Sequence, residues 1–221
     1  MKNKLIFWGI FIAILSIVPL TILPTVNLPL VLKFPAGVAG LALRSLGLTA
    51  FVLLFFQLML GAYMERWINK FGGWVFKFHI FNGIAIYSLA ILHPLAFLFS
   101  RYFIGIGADP IFIFLGFCIY CQTKLDFYYT LGRISFWLLT IGVLAGFFRN
   151  VNPFMRFNWR KFHVLNYVVF LLAGIHEYFV GTDYMAQPFF AFSIIAYLLV
   201  LYTIIRKFPN FVLFCKKWLN N

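Results

Sequence analysis

Apolar residues in this chain come in long unbroken runs. They form neither the period-3.6 stripes of a water-facing helix nor the alternation of a half-buried strand. Six runs approach the length of about 20 residues that a helix needs to cross the hydrocarbon of a bilayer. They are roughly Leu5–Leu23, Gly40–Met64, Trp74–Phe99, Leu131–Phe148, Phe162–Val180 and Gln187–Ile205. In hydrocarbon every backbone polar group must be satisfied within the segment, and a helix does this. The pattern predicts an all-α fold, an integral membrane six-helix bundle forming a single transmembrane domain over residues 1–221. Between the third and fourth runs, Asp109 and Pro110 interrupt the apolar pattern and Ile111–Cys121 is only half a span. Ile104–Tyr129 is therefore expected to be an outer re-entrant or interfacial segment. The first run follows Lys2 and Lys4 as a signal sequence would, but it has no small-x-small cleavage site and carries Pro19 and Pro24, so it is expected to remain as a helix.

Composition agrees. The chain has 221 residues, 64% of them hydrophobic and 10% charged, against about 25% charged in an average soluble domain. The length accommodates one bundle and leaves no room for a nucleotide-binding domain beside it. A formal charge of +13 would suggest nucleic acid in a soluble protein, but here the basic residues sort by membrane face. With six spans and an inner N-terminus, thirteen of the 18 lysines and arginines fall on the inner side, among them Lys2, Lys4, Arg149, Arg160, Lys161, Lys216 and Lys217. Lys33, Arg101, Lys124 and Arg133 fall outside, and Arg44 lies within the second span. By the positive-inside rule both termini are expected in the cytoplasm, with the lipid bilayer as partner and no nucleic acid. Three cysteines are too few for a disulfide scaffold. Cys118 and Cys121, in apolar surroundings, are expected to be an inert buried pair rather than a redox dithiol.

All four histidines fall in two spans: His79 and His93 in the third, His163 and His176 in the fifth. An ionisable residue inside a span is costly and marks a functional site by default. Separations of 14 and 13 residues correspond to about 21 and 20 Å of helix. The third and fifth spans run in the same direction, so His79 should lie level with His163 near the inner face, and His93 level with His176 nearer the outer face. Two neutral imidazoles on opposite helices can fill both axial positions of a haem iron, which then carries electrons and binds no further ligand. Two such centres about 20 Å apart would divide a hydrocarbon core of about 30 Å into short steps. A zinc site would need three or four ligands around one ion. A histidine-containing cation or proton transporter, and histidines that merely bridge helices, are the other readings. One angular detail conflicts with a regular helix. Fourteen residues bring His93 to within about 40° of the direction of His79, but 13 leave His176 about 140° from that of His163. Either His163 sits at the irregular start of the fifth span, or a bulge near Gly174 re-aims His176.

The motif His79-x-x-x-Gly83 followed by Leu92-His93-Pro94, with Trp159-Arg160-x-Phe162-His163 running on to Gly174-x-His176, resembles the ferric reductase-like transmembrane domain. Ferric reductases, NADPH oxidases and the haem-binding membrane subunit of the periplasmic methionine sulfoxide reductase system share that domain. The resemblance covers about Gly40 to Ile205. It implies two b-type haems, one held by His79 and His163 and one by His93 and His176. It also places an arginine near the outer haem, which by position would be Arg44. Oxidases and many ferric reductases continue into a flavin and nicotinamide domain that this sequence does not contain, so FAD or FMN is expected only on a partner chain.

The expected function is that of a ferric reductase-like oxidoreductase subunit in a bacterial inner membrane. It would take electrons from a cytosolic flavoprotein reductase or a quinol and pass them to an outer acceptor such as ferric chelate, oxygen or a periplasmic oxidoreductase. The methionine sulfoxide reductase haem subunit is the alternative within the family. Arg44 is a candidate for the outer haem propionates, and Arg160 and Lys161 for the inner ones. Snorkelling to the lipid headgroups accounts for Arg44 equally well, and Arg160 and Lys161 taken singly are better accounted for as ordinary positive-inside residues.

Overall fold

The computed structural model describes residues 2–219, with side chains described for residues 3–207 and 209. Lys2, Lys216 and Lys217 of the inner charge count lie outside the described side chains. Among the described residues the chain forms helices joined by turns and no strands, and six stretches are long and apolar enough to cross a membrane: Asn3–Thr25, Pro35–Ala62, Trp74–Phe103, Lys124–Phe148, Pro153–Val180 and Phe189–Lys207.

The first stretch combines α1 (Lys2–Leu15), α2 (Ile17–Ile22) and a 3₁₀ turn, Leu23–Thr25. It is a packed member of the bundle. Phe7 is fully buried in a cage formed by Phe56, Trp67, Phe71, Trp74 and Phe78, whose ring centres lie 4.7–5.9 Å away. After the short α3 (Leu28–Val31), Pro35 opens α4 (Pro35–Ala62) at a position where its missing N–H costs nothing. The amphipathic α5 (Met64–Phe71) stops at Gly72, whose φ of +102° favours glycine. α6 (Trp74–Phe103) then runs back antiparallel to α4 and stays helical through Pro94.

In the segment expected to be interfacial, Asp109 caps the short α7 (Pro110–Leu115) by accepting from the N–H of Phe112. The fourth span begins seven residues earlier than the apolar run suggested. α8 (Lys124–Phe148) starts with a capping box in which Thr123 Oγ1 accepts from the N–H of Asp126 and the Asp126 carboxylate accepts from the N–H of Thr123. The interfacial segment therefore ends near Thr123 and not at Tyr129. The fifth span likewise starts early and is built from two helices, α9 (Pro153–His163), capped by Asn152, and α10 (Leu165–Val180). The last is α11 (Phe189–Leu219).

Two antiparallel pairs, α4 with α6 and α8 with α10, make the centre of the bundle. They are keyed together by stacked aromatic rings: Phe51 of α4 on Phe170 of α10 at 4.6 Å, and Tyr87 of α6 on Phe136 of α8 at 6.3 Å. The second and fifth spans thus meet through one aromatic pair and the third and fourth through another. Side chains between the two pairs are held at fixed depth.

Candidate functional site

The four histidines lie at this junction as two facing pairs. His79 of α6 meets His163 of α9 with ring centres 6.2 Å apart and planes at 63°. His93 of α6 meets His176 of α10 at 6.5 Å and 89°. The angular conflict in the sequence is resolved one residue after His163. α9 ends there and α10 begins at Leu165, with Val164 N–H bonded back to Arg160 and its carbonyl taking the N–H of Tyr167 in a tightened turn. The two histidines of the fifth span therefore belong to different helices, while α10 continues unbroken past Gly174.

Three of the rings are oriented by backbone. His93 Nδ1 is 3.0 Å from the carbonyl of Leu43, His176 Nδ1 is 2.9 Å from that of Tyr128 and His163 Nδ1 is 3.3 Å from that of Gly142. Only a protonated Nδ1 can bond to a carbonyl, so the neutral rings of His93 and His176 keep their lone pair on Nε2, the nitrogen free to bind a metal; His163 Nδ1 is shared between the Gly142 carbonyl and Asn166 Nδ2 at 3.5 Å. His79 Nδ1 is buried without a partner. Among the described residues no three of His, Cys, Asp and Glu gather as a metal-binding group. Each candidate site consists of two imidazoles.

Between His93 and His176 lies a cavity of about 460 Å³, within the usual range for a small-molecule or cofactor site. Its walls are largely apolar, with Phe51, Ile86, Phe136, Leu139 and Val169 among them. Arg44, Arg133, Glu177 and Asp183 also line it. Arg44 is already engaged. Its Nε and Nη2 donate to both carboxylate oxygens of Asp183, which is almost fully buried, and Nη2 also donates to Thr25 Oγ1. The Arg44–Asp183 pair closes one side of the cavity and ties the second span to the segment after α10, and Thr25, at the end of the first span, joins both.

Arg160 and Lys161 lie near the end of α9, beside His163 and far along the bundle from this cavity. Arg160 is exposed with its guanidinium over the Trp159 ring, and Lys161 is half-buried. Arg149 is more closely engaged with the same level. It lies over Phe76 of α6 at 5.5 Å and over Trp159 of α9 at 5.4 Å, and Trp159 in turn touches the His163 ring.

Three features of the site lay outside the sequence reading. Arg133 counts there as an ordinary outer charge, but it is buried, donates through Nε to the carbonyl of Ile113 and lies under the Phe112 ring. Arg149 counts as one inner charge among many. The third is a set of glycines. Gly47 and Gly61 of α4 and Gly132 and Gly146 of α8 each face one histidine ring. Both glycine pairs are 14 residues apart, nearly the histidine spacing, and that shared interval is the signal that could have found them. Cys118 and Cys121 are not the buried pair expected from their apolar surroundings: both are half-buried and joined in a disulfide beside Thr130, at the cavity end of α8.

Compared with known proteins, the chain matches no family model, no curated protein and no solved structure.

Proposed function

We propose that the chain is a haem b-containing transmembrane electron-transfer subunit, ferric reductase-like, that passes electrons from a cytoplasmic-side flavoprotein or quinol to an acceptor on the outer face. The observation that carries this reading is the separation of the facing rings. Two metal–imidazole bonds of about 2 Å, with about 1.1 Å from each nitrogen to its ring centre, would put the centres of two imidazoles sharing one iron about 6.2 Å apart. The two pairs measure 6.2 and 6.5 Å. A hydrogen-bonded pair of histidines would need a ring nitrogen of one directed at a ring nitrogen of the other. His93 and His176 instead each spend Nδ1 on a backbone carbonyl.

A bound haem would supply a one-electron iron centre without an open coordination position. The chain's own residues do the rest. His93 and His176 present Nε2 from opposite walls, and the backbone carbonyls of Leu43 and Tyr128 hold those rings in the ligating tautomer. Phe51, Phe136 and Leu139 line the space between them with apolar surface. Arg133, and Arg44 once shared with Asp183, offer cations to propionates at the outer level. Arg149, Arg160 and Lys161 offer them at the inner level, where both termini would face the cytoplasm and an acidic donor protein could dock.

Purified protein should show sharp low-spin b-type bands in a reduced-minus-oxidised spectrum, with two haems per chain. A flat spectrum after expression with haem supply would overturn the proposal and leave a histidine-bridged or cation-conducting bundle.

A further inference from the structure

Each of the four rings rests against a glycine of the antiparallel neighbouring helix, and the hydrogen bonds keep one register. His93 faces Gly47 and bonds to Leu43, four residues before it; His176 faces Gly132 and bonds to Tyr128, four before it; His163 faces Gly146 and bonds to Gly142, four before it. A helical carbonyl gives one lone pair to the N–H four residues on and keeps a second. A helical side chain leans toward the N-terminus and covers the turn before its own Cα, so the residue at i+4 is the one that shields the carbonyl of residue i. Glycine at that place uncovers it.

We propose that Gly47 and Gly132 are positioning residues that bare one carbonyl each for a histidine Nδ1–H and so fix the Nε2 ligand face; Gly146 stands in the same register, but a Cβ there would meet His163 Nδ1 only at 3.9 Å. The fourth seat, Gly61, stands in the same register four residues after Gln57 but is not engaged. His79 Nδ1 has no acceptor, and the Gln57 side-chain amide is turned away, donating to the backbone carbonyl of His79 at 2.8 Å and accepting from Asn82 at 2.9 Å. Gln57 therefore fixes the backbone of His79 and leaves its ring without a tautomer lock. The pairs are unequal: both rings of the outer pair are locked, and in the inner pair the ring of His79 is not.

The functional meaning of this inference rests on the histidines being iron ligands, but its geometry does not, and two measurements separate them. In full-length protein produced under haem starvation and labelled with ¹⁵N-histidine, NMR should find His93 and His176 protonated on Nδ1 with bare Nε2, and His79 exchanging between both tautomers. Protonation of Nε2 at His93 or His176 would overturn the proposal whether or not haem binds.

In haem-loaded protein the glycines should differ in a set order. A Cβ at Gly47 would lie 2.8 Å from His93 Cε1, and one at Gly132 would lie 2.8 Å from His176 Nδ1, whereas at Gly146 the nearest atom of His163 is 3.9 Å away. G47A and G132A should each cut low-spin haem from two per chain to one, while G146A keeps both. G40A, where nothing lies within 4 Å, serves as the control. Two unperturbed haems in both G47A and G132A would refute the ring-seat role. Absence of haem from the wild type would instead refute the electron-transfer reading, and the tautomer measurement would still decide this one. It also decides if either variant fails to fold.

Discussion

With two haems bound as proposed, replacing one histidine should remove one spectroscopic centre and leave the other intact, because the two levels share no histidine. In His176→Ala, His93 keeps its Nε2 but has no second imidazole. The next rings belong to the other level, about 20 Å away along the helices. Low-spin absorbance should fall by half, by loss of that haem or by its conversion to a five-coordinate form. His93→Ala should do the same, and the double variant His93→Ala/His176→Ala should again retain half rather than a quarter. His79→Ala/His176→Ala, one from each level, should retain none. Sites more than about 10 Å apart behave additively, and members of one site do not. Thermal stability offers a second reading, since a ligand at 100 times its Kd stabilises the folded state by about 2.7 kcal/mol. Haem-loaded His176→Ala should lose about that much relative to wild type, while the haem-free forms differ far less. Haem per polypeptide from alkaline pyridine spectra, and unfolding followed by circular dichroism in detergent, measure both quantities. Additional low-spin loss in the His93→Ala/His176→Ala double variant would refute the level pairing.

Asp183→Asn leaves Arg44 beside the cavity without its counter-charge and should destabilise by about 3 kcal/mol, because one partner of a buried pair is left unpaired; the Arg44→Gln/Asp183→Asn double variant should recover part of it, and an additive loss in thermal unfolding would argue against coupling. Phe7→Ala empties an aromatic cage and should cost about 3 kcal/mol, read as earlier proteolysis of the first span than of the rest; an unchanged cleavage pattern would contradict the packing described. Cys118→Ser/Cys121→Ser opens a loop too short to constrain the unfolded chain strongly, so stability should fall by at most about 2 kcal/mol with haem content unchanged; loss of the outer haem in this variant would mean that the disulfide has a part in the site. Reporter fusions should place both termini in the cytoplasm, and an outer reading at either end would overturn the orientation taken from the charge distribution.

The spans were legible because hydrocarbon demands an apolar run, and their inner portions coincide with the runs in the sequence. Their ends were less so. α8 starts at Lys124 because a Thr123–Asp126 capping box can begin a helix in polar surroundings, where a hydropathy run does not reach. α9 is a polar amphipathic helix before the fifth apolar run, and only the cap at Asn152 followed by Pro153 announces it. Facing of the histidines followed from depth along parallel spans, since rise per residue is fixed. Their aim did not follow, because it depends on the interruption at Val164, which no proline or glycine marks. Arg133 was opaque for another reason: its burial is made by α7 folding back over α8, a long-range contact without a local pattern.

The order of the paired histidines along the chain has a consequence for biosynthesis. Each level takes its first imidazole from α6 and its second from beyond Pro153. A chain emerging from the ribosome thus carries two unmatched rings through the insertion of α8, and neither level can acquire its second ring until the fifth span has entered the membrane.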